Sequence, residues 1–129
     1  MQFDIQREAL LKPLQQVVGV VERRQTLPVL ANLLVRVSAG RLSLTGTDLE
    51  VEMQAASDAE NTMDGEITIP ARKWFDIVRA LPDGVRVALK LNGDRIAIAA
   101  GRSRFTLTTL PASEFPAIDE IEVVEKITL

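Results

Sequence analysis

The chain has 129 residues, 47% of them hydrophobic, and a formal net charge of −3. This length suits one domain, and the apolar share supports a packed core, which excludes a disordered chain. Cysteine, histidine and tyrosine are absent, so disulfides, thiolate metal sites, histidine-bound zinc and histidine-based catalysis are all excluded. No apolar run is long enough to span a membrane and the N-terminus does not resemble a signal peptide, so we expect a cytoplasmic protein.

The first half of the chain is predicted to form a strand, a helix and three further strands. Alternating residues indicate a short strand at 2–5, and the segment REALLKPLQQVVGVVERR then carries apolar residues at helical spacing. Pro13 indicates that this helix either starts late or kinks. The three strands are expected near 30–38, 41–45 and 48–55.

The same order of elements returns in the second half. The segment EITIP predicts a strand near 66–69, and Pro70 suits the start of a helix in ARKWFDIVRAL. The dipeptide Asn92-Gly93 predicts a tight hairpin turn. The last three strands are expected near 85–91, 94–100 and 103–108.

This recurrence predicts an internal duplication. The segment RLSLTGTDLEVEM occupies the place in the first copy that RIAIAAGRSRFTL occupies in the second. Two like units are expected to pack about a pseudo-twofold axis. Alternating strands suit antiparallel sheets with one buried face, which two helices on one side would cover. We therefore predict a single α+β domain built from two strand-helix-three-strand repeats.

Two kinds of charged pattern are candidates for function. Asp48, Glu50 and Glu52 alternate and could be read as a Mg²⁺ or Ca²⁺ site, but a spacing of two sets carboxylates in a row and not around one point. We therefore expect no metal site there. The glycines of GTD and AAGRS fit no nucleotide-binding motif and are interpreted as strand bends or bulges. The basic residues of the two helical segments are either an ordinary solvated surface or a face that contacts phosphate, and charge alone favours the former.

Four segments together resemble one protein family. REALLKPLQQVVGVVERRQTLPVLANLLV, LSLTGTDLEVEM, IPARKWFDIVRALPDG and AGRSRFTLTTLPASEFP are similar to the first domain of the bacterial DNA polymerase III beta subunits, the replication sliding clamps. The resemblance implies the DNA-clamp fold. It also implies that three-domain chains dimerise head to tail into a ring, which encircles double-stranded DNA and acts as a non-catalytic processivity factor. On this view residues 1–129 are the first of three domains, and the parts least like the family, 54–65 and 119–126, are variable loop and edge.

The resemblance also implies roles for particular residues. The residues implied to contact the DNA backbone are Arg24, Arg72, Arg79, Lys12 and Arg7. Those implied at the joint between subunits are Lys73, Ile77, Arg95, Arg102, Arg104, Phe105 and Leu107. At that joint the apolar side chains would form a small core, and the basic ones would pair with acids of the other subunit. No cofactor is implied, and the pocket for the polymerase alpha subunit and the clamp loader belongs to domains missing here.

Two other functions stay open on the residues alone. The chain could be a generic α+β interaction module that dimerises through an edge strand and ignores DNA. It could also be a carboxylate-metal enzyme that uses Asp48, Glu50 and Glu52.

Overall fold

The structure, a computed structural model, describes residues 1–21, 28–48 and 51–116. Within these ranges the alternating segments form nine strands and the segments with helical spacing form two α-helices. In chain order they are β1 (Gln2–Gln6), α1 (Arg7–Val18), β2 (Asn32–Ser38), β3 (Arg41–Thr47), β4 (Glu52–Asp58), β5 (Glu60–Met63), β6 (Gly65–Pro70), α2 (Ala71–Ala80), β7 (Arg86–Asn92), β8 (Arg95–Ala100) and β9 (Ser103–Thr108). Short 3-10 helices occupy Pro28–Ala31 and Ala112–Glu114.

The strands form two antiparallel sheets that exchange their first strands between the repeats. The first sheet has the order β5-β1-β7-β8-β9, and the second has the order β4-β3-β2-β6. Strand β1 of the first repeat thus joins the last three strands of the second repeat, and β6 of the second repeat joins the three of the first. This reciprocal exchange is the pattern expected of a duplicated unit, and the predicted α+β fold is confirmed.

The two helices pack against each other, with α1 along β3 and β4 and α2 beside β2 and β6. Their apolar stripes are the predicted ones, since Leu10, Leu14, Trp74 and Val78 are fully buried. These side chains join the inward faces of both sheets in a single core. The prediction that both helices lie on one side of the molecule is therefore confirmed.

Helix α1 begins earlier than Pro13 suggests. It starts at Arg7 and ends at Val18, with Pro13 in its interior and buried. A proline inside a helix removes one intrahelical hydrogen bond. Burial of the apolar stripe, which supplies most helix stability in proteins, offsets that loss. The expectation of a late start is therefore wrong.

The acidic segment 54–65 is mostly strand. Residues 52–58 and 60–63 form β4 and β5, which are edge strands of the two sheets, so the expectation of an edge is right and that of a loop is wrong. The predicted strand at 48–55 begins only at Glu52, and the carboxylate of Asp48 accepts the N–H of Val51 at 2.7 Å. Leu49 and Glu50 lie outside the described residues.

Two glycines differ in role from the sequence interpretation. The tight turn after β7 contains Gly93 and Asp94, one residue later than predicted, because Asn92 pairs with Arg95 and Gly93 has the positive φ of 63°. Gly46 makes neither a bend nor a bulge, since the ladder between β3 and β4 runs through it without a break. It allows close approach of α1, because a Cβ at this position would lie 2.9 Å from the carbonyl oxygen of Val17.

Candidate nucleic-acid interface and subunit joint

A cleft of about 610 Å³ opens beside the start of α2. It is lined by Val21, Ala31, Pro70, Ala71, Arg72, Lys73, Asp76 and Arg79. The three basic side chains are exposed and face one acidic side chain, so the lining is net positive. Such a surface attracts a polyanionic backbone.

The start of α2 strengthens this positive field. The helix begins directly after Pro70, without a side-chain cap and without an acidic residue in its first turn. The first N–H groups of a helix are unpaired and carry a partial positive charge, which acidic side chains usually offset. Here Arg72 and Lys73 add full positive charges at that end, so positive potential is concentrated at the mouth of the cleft.

Arg79 lies two turns further along α2 and is held only loosely. Its guanidinium donates to the carboxylate of Asp76 at 3.3 Å and lies 5.3 Å from the ring centre of Phe75. Both charged side chains are more than half exposed, so this pair contributes at most about 1 kcal/mol. Arg79 can therefore exchange Asp76 for a phosphate at little cost.

Arg7 is engaged inside the chain, at the opposite end of α2. Its guanidinium donates to the carbonyl oxygens of Val78 at 3.1 Å and Arg79 at 2.9 Å, and it contacts the carboxylates of Glu8 and Asp83. Only 12% of its side chain is exposed. The bond to Arg79 satisfies an acceptor at the end of the helix, and the oxygen of Val78 accepts this bond in addition to the N–H of Leu81. This geometry disfavours the predicted DNA contact by Arg7, because reaching a phosphate would break these bonds.

Glu8 completes the connection between the start of α1 and the end of α2. Both of its carboxylate oxygens accept the N–H of Gly84 at 3.1 Å. That hydrogen bond, followed by the one from Arg7, holds the pKa of the Glu8 carboxyl below its usual range. One end of the helix pair is therefore closed by an ion and hydrogen-bond network, whereas the end beside Ala71 is open and basic.

Two further residues are predicted to contact DNA. Lys12 is exposed on α1. Arg24 lies outside the described residues, and Val21, which lines the cleft, is the last described residue before it. Lys73, which the resemblance implies at the subunit joint, lines the cleft together with Arg72 and Arg79. The signal that could have indicated this was its position next to Arg72 in the first helical turn.

The predicted subunit joint is centred on β9, an edge strand of the first sheet. Phe105 and Ile77 are half-buried and pack against the core with part of their surface exposed. Arg95 and Arg104 are exposed on the outer face of the sheet, opposite Thr108 and Ala99 respectively. Strand β9 thus has the half-buried Phe105 on its inward face and the exposed Arg104 on its outer face, and its role as a subunit joint stays a prediction.

Two residues of this predicted joint differ in position from Phe105 and Arg104. Arg102 is not on the strand, because the pair Ala100 and Ser103 closes a turn made of Gly101 and Arg102. Leu107 lies opposite the fully buried Ile96 on the inward face of β9 and belongs to this chain's own core, with 9% of its surface exposed. Strand alternation directs it inward, so little of it is left for a partner.

The alternative function, a carboxylate-metal enzyme, finds no metal site among the described residues. Within 1–21, 28–48 and 51–116, no group of three acidic, histidine or cysteine side chains could hold a metal ion. Asp48 directly follows β3 and Glu52 begins β4, so the two do not share a strand. In the same ranges, no helix is long and apolar enough to cross a membrane.

Comparisons with known proteins agree with this geometry. Residues 1–119 match the family described as DNA polymerase III beta subunit, N-terminal domain. The beta sliding clamp of Pseudomonas putida is 57% identical, with 93% of this chain and 33% of that protein covered. The clamp of Escherichia coli K12 is 52% identical, with 100% and 36% covered, so the chain spans about a third of the length of these curated relatives.

Solved clamp structures give the same result. The sliding clamp of Pseudomonas aeruginosa superimposes with a TM-score of 0.89 at 57% identity, and 92% of this chain and 32% of that chain are covered. The sliding clamp of Caulobacter crescentus gives 0.88 at 48% identity, with 91% and 32% covered. The chain therefore belongs to the DNA polymerase III beta subunit family and corresponds to its N-terminal domain.

Proposed function

We propose that this chain is part of a processivity factor, a ring-shaped homodimer that encircles double-stranded DNA and tethers the replicative polymerase without catalysis of its own. The observation that carries the proposal is the basic cleft on the helical side of a domain whose sequence and fold match beta sliding clamps. Contacts with the polymerase alpha subunit and the clamp loader belong to parts of the protein beyond this chain. Because its relatives are bacterial and bacterial DNA is replicated in the cytoplasm, we place the protein there.

The contacts with DNA are to phosphates, because base readout would stop a clamp from sliding. Arg72, Arg79 and Lys73 supply them from the cleft, with Lys12 and Arg24 as further contacts. Helix α2 carries the three basic side chains of the cleft and the single acidic Asp76, all of them exposed, so its outer surface is net positive. This local surplus of positive charge attracts the DNA backbone to the cleft.

We expect the 129-residue chain to bind duplex DNA weakly and with strong salt dependence. Each neutralised phosphate contributes about −0.9 to the slope of log affinity against log salt concentration. Replacing Arg72 with alanine should therefore make the slope shallower by about 0.9, as measured by fluorescence anisotropy with a short labelled duplex at low salt. Arg41→Ala, which removes an exposed arginine on β3, is the control and should leave the slope unchanged. Tight binding that resists salt would contradict the proposal.

Ring closure is tested by a chimera in which this chain replaces the matched third of the Pseudomonas aeruginosa clamp. After loading by the clamp loader with ATP, the chimera should stay on nicked circular duplex DNA and slide off when the circle is cut. Substituting both Arg102 and Arg104 with glutamate should abolish this retention, because the subunit joint loses its basic layer. A chimera that loads but dissociates equally from circular and linear DNA would rule out the ring.

A further inference from the structure

The hairpin turn between β7 and β8 exposes an asparagine that is followed directly by a glycine. Asn92 is the last residue of β7 and pairs with Arg95 across the turn, and both Asn92 and Gly93 are exposed. Within the described residues, neither the side-chain amide of Asn92 nor the N–H of Gly93 has a hydrogen-bond partner. A Cβ at Gly93 would meet no atom within 4 Å outside its immediate chain neighbours, so the space around the turn is open. The two groups are therefore free to react with each other.

We propose that Asn92 is a site of spontaneous deamidation. The backbone nitrogen of Gly93 attacks the side-chain carbonyl carbon of Asn92 and forms a new C–N bond. The bond from that carbon to the amide nitrogen breaks, and the amide takes the proton of Gly93 and leaves as ammonia. The product is a succinimide ring, whose closure is easiest before glycine because glycine has no side chain and the least restricted backbone.

Water completes the reaction by opening the ring. It adds to one of the two ring carbonyls, the bond from that carbonyl to the nitrogen breaks, and the nitrogen regains a proton. Attack at the side-chain carbonyl gives aspartate, and attack at the backbone carbonyl gives isoaspartate. Over the whole sequence one water is consumed and one ammonia is released, so no oxidant or reductant is required.

The other two asparagines of the chain are held by hydrogen bonds, and neither is followed by glycine. The amide of Asn61 donates to the carboxylate of Asp4 at 2.8 Å. The amide of the buried Asn32 donates to the hydroxyl of Thr68 at 3.0 Å. Each amide would have to break its hydrogen bond before it could enter a ring, so Asn92 is expected to react first.

The two Asp-Gly pairs, which can close the same ring with loss of water, are held as well. In Asp83-Gly84 the glycine N–H donates to the carboxylate of Glu8 at 3.1 Å, so the attacking nitrogen is engaged. In Asp64-Gly65 a Cβ at the glycine would lie 2.8 Å from the side chain of Met1, so the chain is closely packed there. Among the described residues, the turn at Asn92 is thus the place where both reacting groups are exposed and unpaired.

Deamidation changes the charge at this end of the first sheet. The new carboxylate lies opposite Arg95, which is exposed and has no ion-pair partner within the described residues. Opposite charges in a cross-strand pair attract, so the positive charge of Arg95 is partly neutralised. Isoaspartate also adds a methylene carbon to the backbone at the turn. The inference does not rest on the proposed function, because the reaction needs only the turn.

Incubation of the folded 129-residue chain at mildly alkaline pH tests the site. Trypsin cleaves after Lys90 and Arg95, so mass spectrometry of peptide 91–95, prepared in mildly acidic buffer, reports Asn92 alone. Deamidation should proceed in this peptide at least about tenfold faster than in the peptides that hold Asn32 and Asn61, because those amides must first break their hydrogen bonds. Equal rates in the three peptides, or a slower rate at Asn92, overturn the proposal.

The same incubation in guanidinium chloride shows whether the fold permits the reaction. Because the turn is open, the rate at Asn92 in the folded chain should lie within about tenfold of the rate in the unfolded chain. A folded chain in which Asn92 stays intact, while the unfolded chain reacts, means that pairing with Arg95 protects the amide. That result also overturns the proposal.

Two substitutions at Asn92 identify the product. Asn92→Gln has a longer side chain that cannot close the succinimide ring, so the acidic form seen by anion exchange should not accumulate. Asn92→Asp should elute with the acidic form of the unmodified chain. Thermal unfolding checks that both variants stay folded. An acidic form that accumulates at an unchanged rate in Asn92→Gln arises elsewhere in the chain and contradicts the assignment.

Discussion

Replacing Arg7 with methionine should lower the free energy of unfolding by about 2–3 kcal/mol. The substitution leaves the carbonyl oxygen of Arg79 at the end of α2 without its side-chain donor, and it leaves that of Val78 with only the N–H of Leu81. It also removes a guanidinium that is only 12% exposed from between two carboxylates. Urea unfolding followed by the fluorescence of Trp74, which is the chain's single tryptophan and is fully buried, measures the loss. Arg41→Met is the matched control, because the exposed pair of Arg41 with Asp58 contributes about 0–1 kcal/mol.

The pH dependence of this loss identifies the carboxylates involved. The pKa of Glu8 is lowered in the folded state, first by the N–H of Gly84 and then by Arg7. A lowered carboxyl pKa adds stability above the unfolded pKa, and that contribution is lost as the pH falls through the folded value. Without Arg7 the pKa of Glu8 is lowered less in the folded state. The difference in free energy of unfolding between the unmodified chain and Arg7→Met should therefore become smaller at acidic pH. A difference in free energy of unfolding that stays constant from neutral to acidic pH would contradict a role for Glu8.

Replacing Gly46 with alanine should cost about 2–3 kcal/mol, the upper part of the range for overpacking. The new Cβ would lie 2.9 Å from the carbonyl oxygen of Val17, 3.0 Å from Leu33 and 3.1 Å from Val20. The oxygen belongs to the backbone of α1 and cannot rotate away, so the helix must shift from the sheet. Chemical denaturation measures the cost, and the backbone at Gly46 has no positive φ that would add strain.

Gly19→Ala is the control for this substitution. Gly19 directly follows α1, has a helical φ of −64°, and its nearest added contact would be an ordinary 3.6 Å. Alanine there should be neutral or stabilise the fold by about 0.5 kcal/mol, through the reduced freedom of the unfolded chain. Equal effects of the two substitutions would show that close packing is not the reason for glycine at position 46.

Both predictions concern how rigidly the basic surface is presented. Arg7 joins the start of α1 to the end of α2, and Gly46 sets how closely α1 approaches β3. The contacts of Arg7 close one end of the helix pair, and the packing at Gly46 sets the distance between α1 and β3. Arg72 and Arg79 therefore project from a helix whose position is fixed. Charges that are held in place by the fold lose less conformational entropy when they contact phosphate.

The positions of the helices and most of the strands follow from the sequence alone. Strand alternation and helical spacing are local patterns, so they correctly indicated the inward faces that bury Leu10, Leu14 and Trp74. The duplicated order of elements likewise anticipated the paired sheets. The resemblance of the GRSRF segment to its family identified β9 as the edge of interest, and its edge position is confirmed. The assignment of its residues to a subunit joint stays a prediction.

Only the tertiary structure decided the roles of individual side chains. Arg7 is one more basic residue in the sequence, and its partner Val78 is 71 positions away, so no local pattern could separate it from Arg72. Leu107 and Phe105 share one face of one strand, yet the neighbouring elements bury the first and leave the second half-buried. Local sequence determines which face of an element is apolar, whereas the contacts that cover that face come from distant parts of the chain.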